Sequence, residues 1–241
     1  MIDAEMVDGR LYAFGGITTY GITDHCESWS EDDANWAVEE SMPEPVFGYM
    51  SVSDERYIYV IGGVGLDEDD KLQVKNALYR FDTVNKSWLR LADMPAIETD
   101  IDVDLGGGPL GGNGGYGGYG DPGGDDEEEQ EFGLRYGCAF GIAHIIDGKI
   151  HVLCGINLIK SGEFEPLLYN NHIYVFDIPS NAWFASKKVI DEDLPFYNRI
   201  NAFSFYDSGT ECVHVLNGQG YGVTETGQID TEDPIVFTDS F

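Results

Sequence analysis

The sequence predicts an all-β fold made of about four repeated units, each a four-stranded antiparallel sheet. Three signals that recur in a fixed order predict it: a short strand ending in two small residues, an aromatic residue before a polar turn, and a tryptophan after that turn. Self-similarity at a fixed period is the sequence signature of a repeat architecture. The units should therefore be equivalent sheets stacked side by side.

The first signal is a strand that ends in glycine. Four short segments of alternating residue size close in Gly-Gly or in one small residue followed by glycine. Only a residue without a Cβ makes such a tight turn readily, so these segments predict buried strands. The closing pairs are Gly15 and Gly16, Gly62 and Gly63, Cys154 and Gly155, and Asn217 and Gly218. His151 and His214 lie inside two of the strands, and we interpret them as packing residues.

The second and third signals follow each of the first three strands. A polar turn rich in Asp, Asn, Ser and Pro separates the two aromatic residues, which is typical of a hairpin. The pairs are Trp29 and Trp36, Phe81 and Trp88, and Phe176 and Trp183. A later proline ends the outer strand, and one more strand precedes each glycine pair. These inner strands are predicted at 2–7, 47–52, 136–146 and 200–206.

These signals together resemble the kelch repeat, and the resemblance covers nearly the whole chain except residues 98–133. Gly16 and Gly63 lie close to one kelch period of about 50 residues apart. The resemblance implies a kelch-type β-propeller in which the tryptophans fill the space between four-stranded blades. We expect blade one at 1–40, blade two at 46–92, an insertion at 98–133, blade three at 134–189 and blade four at 198–241.

The number of units predicts an open or incomplete propeller. Kelch propellers usually have about six blades, and this chain supplies four, the last of which ends at Phe241 before its expected tryptophan. We therefore expect either a fragment of a larger propeller or closure by a partner chain. An open propeller would expose sheet faces and favour self-association.

The charge balance restricts the partners. The chain has 13 Lys+Arg against 44 Asp+Glu, a net charge of −31. Such a field repels phosphate backbones and anionic lipids, so we expect neither nucleic acid nor membrane as partner, and a basic protein instead. Solubility, or life in salty surroundings, is the alternative explanation of the charge. The first residues lack a signal peptide and the four scattered cysteines lack a C-x-x-C motif, which predicts a cytoplasmic or nuclear protein with reduced thiols.

The insertion at 98–133 is glycine-rich and then acidic, which predicts a disordered loop. The insertion follows the fourth strand of a blade, and loops at that position lie on the same face of the propeller as the links between strands two and three. Kelch-like proteins typically bind through such loops, so the resemblance implies one acidic binding face. The acidic residues predicted to bind a partner are Asp67, Glu68, Asp69, Asp70, Asp125, Asp126, Glu127, Glu128 and Glu129.

Two arginines are further candidates for partner binding. Arg135 and Arg199 both open a predicted inner strand, at the position that Val46 takes in blade two. In kelch-like adaptors, arginines at this rim grip acidic peptides, and the resemblance extends that role to these two residues. A structural role is the alternative, and the surrounding negative charge argues against an acidic ligand.

Motifs for chemistry are weak. Asp100, Asp102 and Asp104 alternate as at the start of a calcium loop, but Leu105 and Gly111 replace the required glycine and glutamate, so either a weak calcium site or a solvated charge run results. Some kelch-like propellers are copper oxidases or sugar-acid isomerases, and such an enzyme is the alternative function. The five histidines show no matching motif. We therefore predict a non-catalytic protein-interaction scaffold or adaptor without a cofactor.

Overall fold

The computed structural model describes most of the chain outside the insertion. The described residues are 3–95, 97–98, 134–135, 137–159, 166–170, 172–184, 187–188, 199–223 and 229–236. Strands and loops make up this part of the chain, and no helix occurs in it. Its larger sheets are antiparallel, two of four strands and one of five, and they stack without closing into a ring. The predicted fold class is confirmed.

Sheet one has the strand order β1-β2-β5-β6, and a small hairpin of β3 and β4 extends from the end of β2. Each strand pairs antiparallel with its neighbour, so Tyr12 of β2 lies opposite Glu5 of β1 and Ser28 of β5. The strands are β1 (Asp3–Val7), β2 (Arg10–Phe14), β3 (Ile17–Thr18), β4 (Gly21–Ile22), β5 (Cys26–Trp29) and β6 (Ala37–Val38).

Sheet two repeats this pattern in the order β7-β8-β11-β12, with β9 and β10 as the extending hairpin. Its strands are β7 (Met50–Ser53), β8 (Tyr57–Ile61), β9 (Val64–Leu66), β10 (Leu72–Val74), β11 (Leu78–Asp82) and β12 (Ser87–Arg90). The next two strands, β13 (Ile97–Glu98) and β14 (Leu134–Arg135), pair with each other. This pairing holds the two ends of the insertion side by side.

Sheet three has the order β15-β16-β19-β20, and β21 also pairs with β19. Its strands are β15 (Ile142–Ile146), β16 (Lys149–Leu153), β19 (His172–Asp177), β20 (Ala182–Trp183) and β21 (Lys187–Lys188). Between β16 and β19, β17 (Ile156–Ile159) and β18 (Pro166–Tyr169) pair with each other as a separate hairpin. The fourth repeat is described only in part, at residues 199–223 and 229–236. In its described residues β22 (Phe203–Asp207) pairs with β23 (Cys212–Leu216), and β24 (Gln219–Val223) pairs separately with β25 (Ile229–Val236).

The glycine-ended strands finish with the same backbone geometry in all four repeats. The first residue of each closing pair has a left-handed backbone, with φ of 47° at Gly15, 62° at Gly62, 60° at Cys154 and 55° at Asn217. The non-glycine residues therefore adopt the conformation that glycine adopts in the first two repeats. Asparagine tolerates this region better than most residues do.

In the first three pairs, the second residue forms a hydrogen bond to the next repeat. The amide of Gly16 donates to the carbonyl of Val46, that of Gly63 to Cys138 and that of Gly155 to Arg199, each at 2.8 Å. Cys138, rather than Arg135, is thus the residue equivalent to Val46 and Arg199. The predicted equivalence of Arg135 and Arg199 is wrong, because the insertion obscured the register of the third repeat.

The inner strands begin later than predicted. Gly48, Phe140 and Asn201, each two residues after a linking carbonyl, have left-handed φ values of 60°, 58° and 54°. This turn interrupts the predicted strands, so β7 begins at Met50 and β15 at Ile142. The inner strands lie side by side in chain order, with β7 between β1 and β15, and with β22 next to β15.

Buried seams join consecutive sheets. We call the face of a sheet toward the next sheet its front face, and the opposite one its back face. At the seam between sheets one and two, Tyr12 and Phe14 pack against Ile58, Val60 and Phe81. Dispersion and loss of apolar hydration stabilise such contacts.

The next two seams use equivalent positions. Between sheets two and three, the front-face residues Tyr59 and Ile61 pack against Ile150, Val152 and Phe176. The seam between sheets three and four is less aromatic. There Ile142, Leu153 and Cys154 form a cluster with Val215, which Ile173, Ala202 and Val213 border.

The repeat tryptophans occupy two different environments. Trp88 is half-buried, packs with Phe14 at 5.3 Å between ring centroids and donates its Nε1–H to the carbonyl of Glu40 at 2.9 Å. Trp183 donates equivalently to Ala92 at 2.7 Å. Trp36 is 46 % exposed, because the described chain has no earlier sheet against which it can pack. The prediction that the tryptophans fill the space between sheets is therefore wrong for Trp36.

A candidate binding cleft beside the acidic hairpin

A cleft of about 560 Å³ lies between the β9–β10 hairpin and the outer part of sheet two. The hairpin contributes Asp67, Glu68 and Gln73 to its walls, and the link between sheets one and two contributes Glu44. Lys75 and Arg90 supply its positive charges. The cleft therefore lies at the end of the sheets from which the predicted binding loops project.

Asp67 shapes the tip of this hairpin. Its Oδ1 accepts hydrogen bonds from the amides of Asp69 at 2.9 Å and Lys71 at 2.8 Å. The bond from the Lys71 amide is the largest cause that lowers the pKa of Asp67, so its carboxylate stays ionised. The neighbouring residues Glu68, Asp69 and Asp70 are exposed to solvent. We call residues 67–70 the acidic hairpin tip.

Both cations of the cleft already have partners. The Lys75 Nζ donates to the carbonyl of Leu66 at 2.5 Å and lies 3.6 Å from a carboxylate oxygen of Glu44. Arg90 forms two hydrogen bonds to the carboxylate of Asp93, at 3.0 and 2.8 Å. Their charges are therefore largely compensated within the protein, whereas those of Glu68, Asp69 and Asp70 face solvent.

Glu44 anchors the floor of the cleft. The hydroxyl of Tyr79 donates to Glu44 Oε1 at 2.9 Å. Burial first, and then this bond to a carboxylate, raise the pKa of Tyr79, so the phenol remains protonated and can donate. We did not predict Glu44, Lys75 or Arg90 from the sequence. Glu44 lies between Pro43 and Pro45 in the link between two units, and this position is the sequence feature that could have identified it.

The acidic charge is not confined to the predicted face. Hairpins at the opposite end of the sheets carry exposed Glu31, Asp32, Glu55 and Glu211. What distinguishes the acidic hairpin tip is its run of four successive carboxylates beside a cleft. Exposed acidic residues therefore lie at both ends of the sheets, and not on the predicted binding face alone.

The other predicted site residues lie outside the cleft. Asp125, Asp126, Glu127, Glu128 and Glu129, and the predicted calcium ligands Asp100, Asp102 and Asp104, fall outside the described residues. For Arg135, the structure describes only its backbone pairing in β14.

Arg199 is fully buried, and its Nη1 donates to the carbonyl of Asn217 at 2.8 Å. Burial lowers its pKa. A buried guanidinium bound to the turn of the fourth repeat cannot grip a peptide at the surface, so the structure supports the structural alternative for Arg199.

A pair of histidines lies in the seam between sheets three and four. His144 and His151 are directly opposite on β15 and β16. The His144 Nε2 forms a hydrogen bond of 2.9 Å with the hydroxyl of Ser204. Burial first, and then the charge of His151, lower the pKa of His144, so the neutral ring is favoured. Within the described part of the chain, no group of three or more His, Cys, Asp or Glu side chains converges as a metal site.

Comparison with known proteins finds kelch-repeat relatives that match part of the chain. The chain is 33% identical to alpha-scruin and 30% identical to beta-scruin, both of Limulus polyphemus, over 35% and 37% of its length. It is 26% identical over 34% of its length to the horsepox virus Kelch repeat and BTB domain-containing protein 2. These matches span only 10%, 10% and 18% of the respective relatives. No family model matches.

The solved structure of YjhT superposes with a TM-score of 0.59 at 16% identity, over 90% of this chain and 56% of that one. At this identity the likeness shows the fold, that of a kelch-type propeller. The chain thus has kelch-repeat relatives over part of its length, as its repeat signals predict. The described residues contain no helix that could span a membrane.

Proposed function

We propose that this chain of kelch-type blades is a non-catalytic protein-interaction module whose acidic hairpin tip and adjoining cleft bind a basic partner. One observation carries the proposal. Glu68, Asp69 and Asp70 are exposed, and among the described residues none of them forms an ion pair, whereas Lys75 and Arg90 in the adjoining cleft are both paired. An approaching lysine or arginine therefore meets uncompensated negative charge.

The net charge of −31 supports the same choice of partner. It attracts basic proteins from a distance and repels nucleic acids and anionic membranes. The kelch-repeat relatives support an interaction module in general terms, over the third of the chain that they match. We place the protein in the cytoplasm or nucleus, which fits four cysteines that are all free thiols.

The proposal is tested by titrating a fluorescent peptide of alternating lysine and glycine with the protein. We expect binding that weakens steeply with salt, because exposed charges more than a Debye length of about 10 Å apart are screened at ~0.1 M salt. The charge-neutralised variant Glu68→Gln/Asp69→Asn/Asp70→Asn should bind about tenfold more weakly, since three rim charges of about 0.5 kcal/mol each sum to that factor.

The matched control removes the same charge from the other end of the sheets. Glu31→Gln/Asp32→Asn/Glu55→Gln changes three exposed carboxylates far from the cleft. It should weaken binding no more than about twofold through the general field. Equal losses in both triple variants would reject the cleft as the site. Stoichiometric copper in the purified protein, measured by elemental analysis, would contradict the non-catalytic proposal.

A further inference from the structure

The back face of sheet one carries the same aromatic pair that forms the seams farther along the chain. The rings of Trp29 and Trp36 lie 6.5 Å apart between centroids. The equivalent pairs are Phe81 with Trp88 at 5.0 Å and Phe176 with Trp183 at 5.1 Å. In those two sheets the pair packs against the preceding sheet, and the tryptophan donates a hydrogen bond to it.

In sheet one this face meets solvent instead. Trp36 is 46 % exposed, Met6 on β1 is 59 % exposed and Val38 on β6 is 72 % exposed. A second cleft, of about 520 Å³, continues the same face and is lined by Ala13 and Glu27. A contiguous exposed apolar patch on an otherwise strongly charged protein marks an interaction surface.

The front face of sheet four shows the complementary half of a seam. Phe203 begins β22 at the position that Met50 takes in β7 and Ile142 takes in β15. Met50 is 2 % exposed and Ile142 is 6 % exposed because the next sheet covers them, whereas Phe203 is 63 % exposed. Phe205 lies two residues farther along β22, is 44 % exposed and stacks on His214 at 4.8 Å.

We propose that these two faces bind each other between copies of this chain, with the front face of sheet four in one copy on the back face of sheet one in a second copy. Each contact would continue the seam pattern that the molecule already repeats internally, with apolar front-face residues of one sheet against the aromatic pair of the next. Among the described residues, sheet one carries one half of such a seam and sheet four carries the other, so a second copy can supply the complement of each face.

Such a contact is heterologous, because the two surfaces differ. It generates a ring if the rotation closes and an open chain if it does not. The net charge of −31 opposes the contact at low salt. Salt that screens this repulsion should strengthen the contact between copies, whereas it should weaken binding to a basic partner. The failure of one proposal is therefore distinguishable from the failure of the other.

The test is sedimentation velocity of the purified chain at about 100 µM, a concentration at which a contact of micromolar Kd is mostly formed. We expect species of two or more copies whose fraction rises between about 0.05 and 0.5 M salt. Trp36→Ser and Phe203→Ser should each abolish them. The control Val84→Ser removes a side chain that is 70 % exposed in the turn between β11 and β12, away from both faces, and should leave them unchanged.

Mixing the two disrupted variants identifies the geometry. The Trp36→Ser chain keeps its sheet four intact and the Phe203→Ser chain keeps its sheet one intact, so a mixture should form one-to-one dimers and nothing larger. Circular dichroism of each variant should match the parent, since both side chains are exposed. A parent chain that stays monomeric at high salt, or an assembly that only Trp36→Ser abolishes, would overturn the proposal.

Discussion

The change in the free energy of unfolding on replacement of Trp88 by alanine measures how much the seam between sheets one and two stabilises the fold. Complete burial of a tryptophan in a core corresponds to about 3–5 kcal/mol on truncation to alanine. Trp88 is half-buried against Phe14 and Phe81, which reduces this to about 2 kcal/mol. Its bond to the Glu40 carbonyl adds about 1 kcal/mol. We therefore expect Trp88→Ala to lower the free energy of unfolding by about 3 kcal/mol.

The assay is urea unfolding of dilute protein followed by circular dichroism. Trp88→Phe keeps most ring contacts but loses the N–H donor, so it should cost about 1 kcal/mol. Trp36→Ala makes the same chemical change at the equivalent position of sheet one, where no sheet covers the ring, and should cost less than about 1 kcal/mol. Equal losses for Trp36→Ala and Trp88→Ala would refute the assignment of Trp88 to a seam.

Three further predictions concern single positions. Gly62→Ala would place a Cβ 2.1 Å from the Cys138 carbonyl oxygen at a φ of 62°, so it should lower the thermal midpoint far more than Gly9→Ala, whose Cβ meets no atom within 4 Å. The pKa of His144 is lowered by burial and by the opposite histidine of β16, so the unfolded chain binds its proton more readily. The free energy of unfolding should therefore fall as pH drops below about 6.5, and His144→Gln should reduce that dependence in urea titrations. Native protein should react with Ellman's reagent at Cys212 alone, because the other three thiols are buried with raised pKa values.

The repeat could be predicted from the sequence because a few positions admit few residue types. A closing pair with left-handed φ favours glycine, and that preference made Gly15 and Gly62 visible. Cys154 and Asn217 adopt the same backbone, so the aligned strands before them identified equivalent turns even where glycine is missing. Local sterics at these turns thus fixed the sheet pattern.

Properties set by neighbours could not be predicted in the same way. Trp36 and Trp88 have the same sequence signal, yet within the described residues a sheet precedes Trp88 and none precedes Trp36, so the burial of each tryptophan depends on its neighbours. Arg135 lies after the insertion, and only the bond from the Gly63 amide to Cys138 reveals the true register there. The cleft brings Glu44, in the link between two units, close to the β9–β10 hairpin. The sequence pattern of a single repeat cannot predict this contact between units.

Stacked sheets make each surface depend mainly on the sheet beside it, as in other repeat architectures. The acidic hairpin tip projects from the end of sheet two, whereas the exposed apolar faces belong to sheets one and four. Assembly of copies through those faces would therefore leave Glu68 and Asp69 accessible and place several acidic tips on one particle. A basic partner with several sites would then bind more tightly to the assembly than to the monomer by raised effective concentration. We therefore expect Phe203→Ser to lose this gain in affinity for a partner with several basic sites. Its affinity for the lysine–glycine peptide, measured on the monomer, should be unchanged.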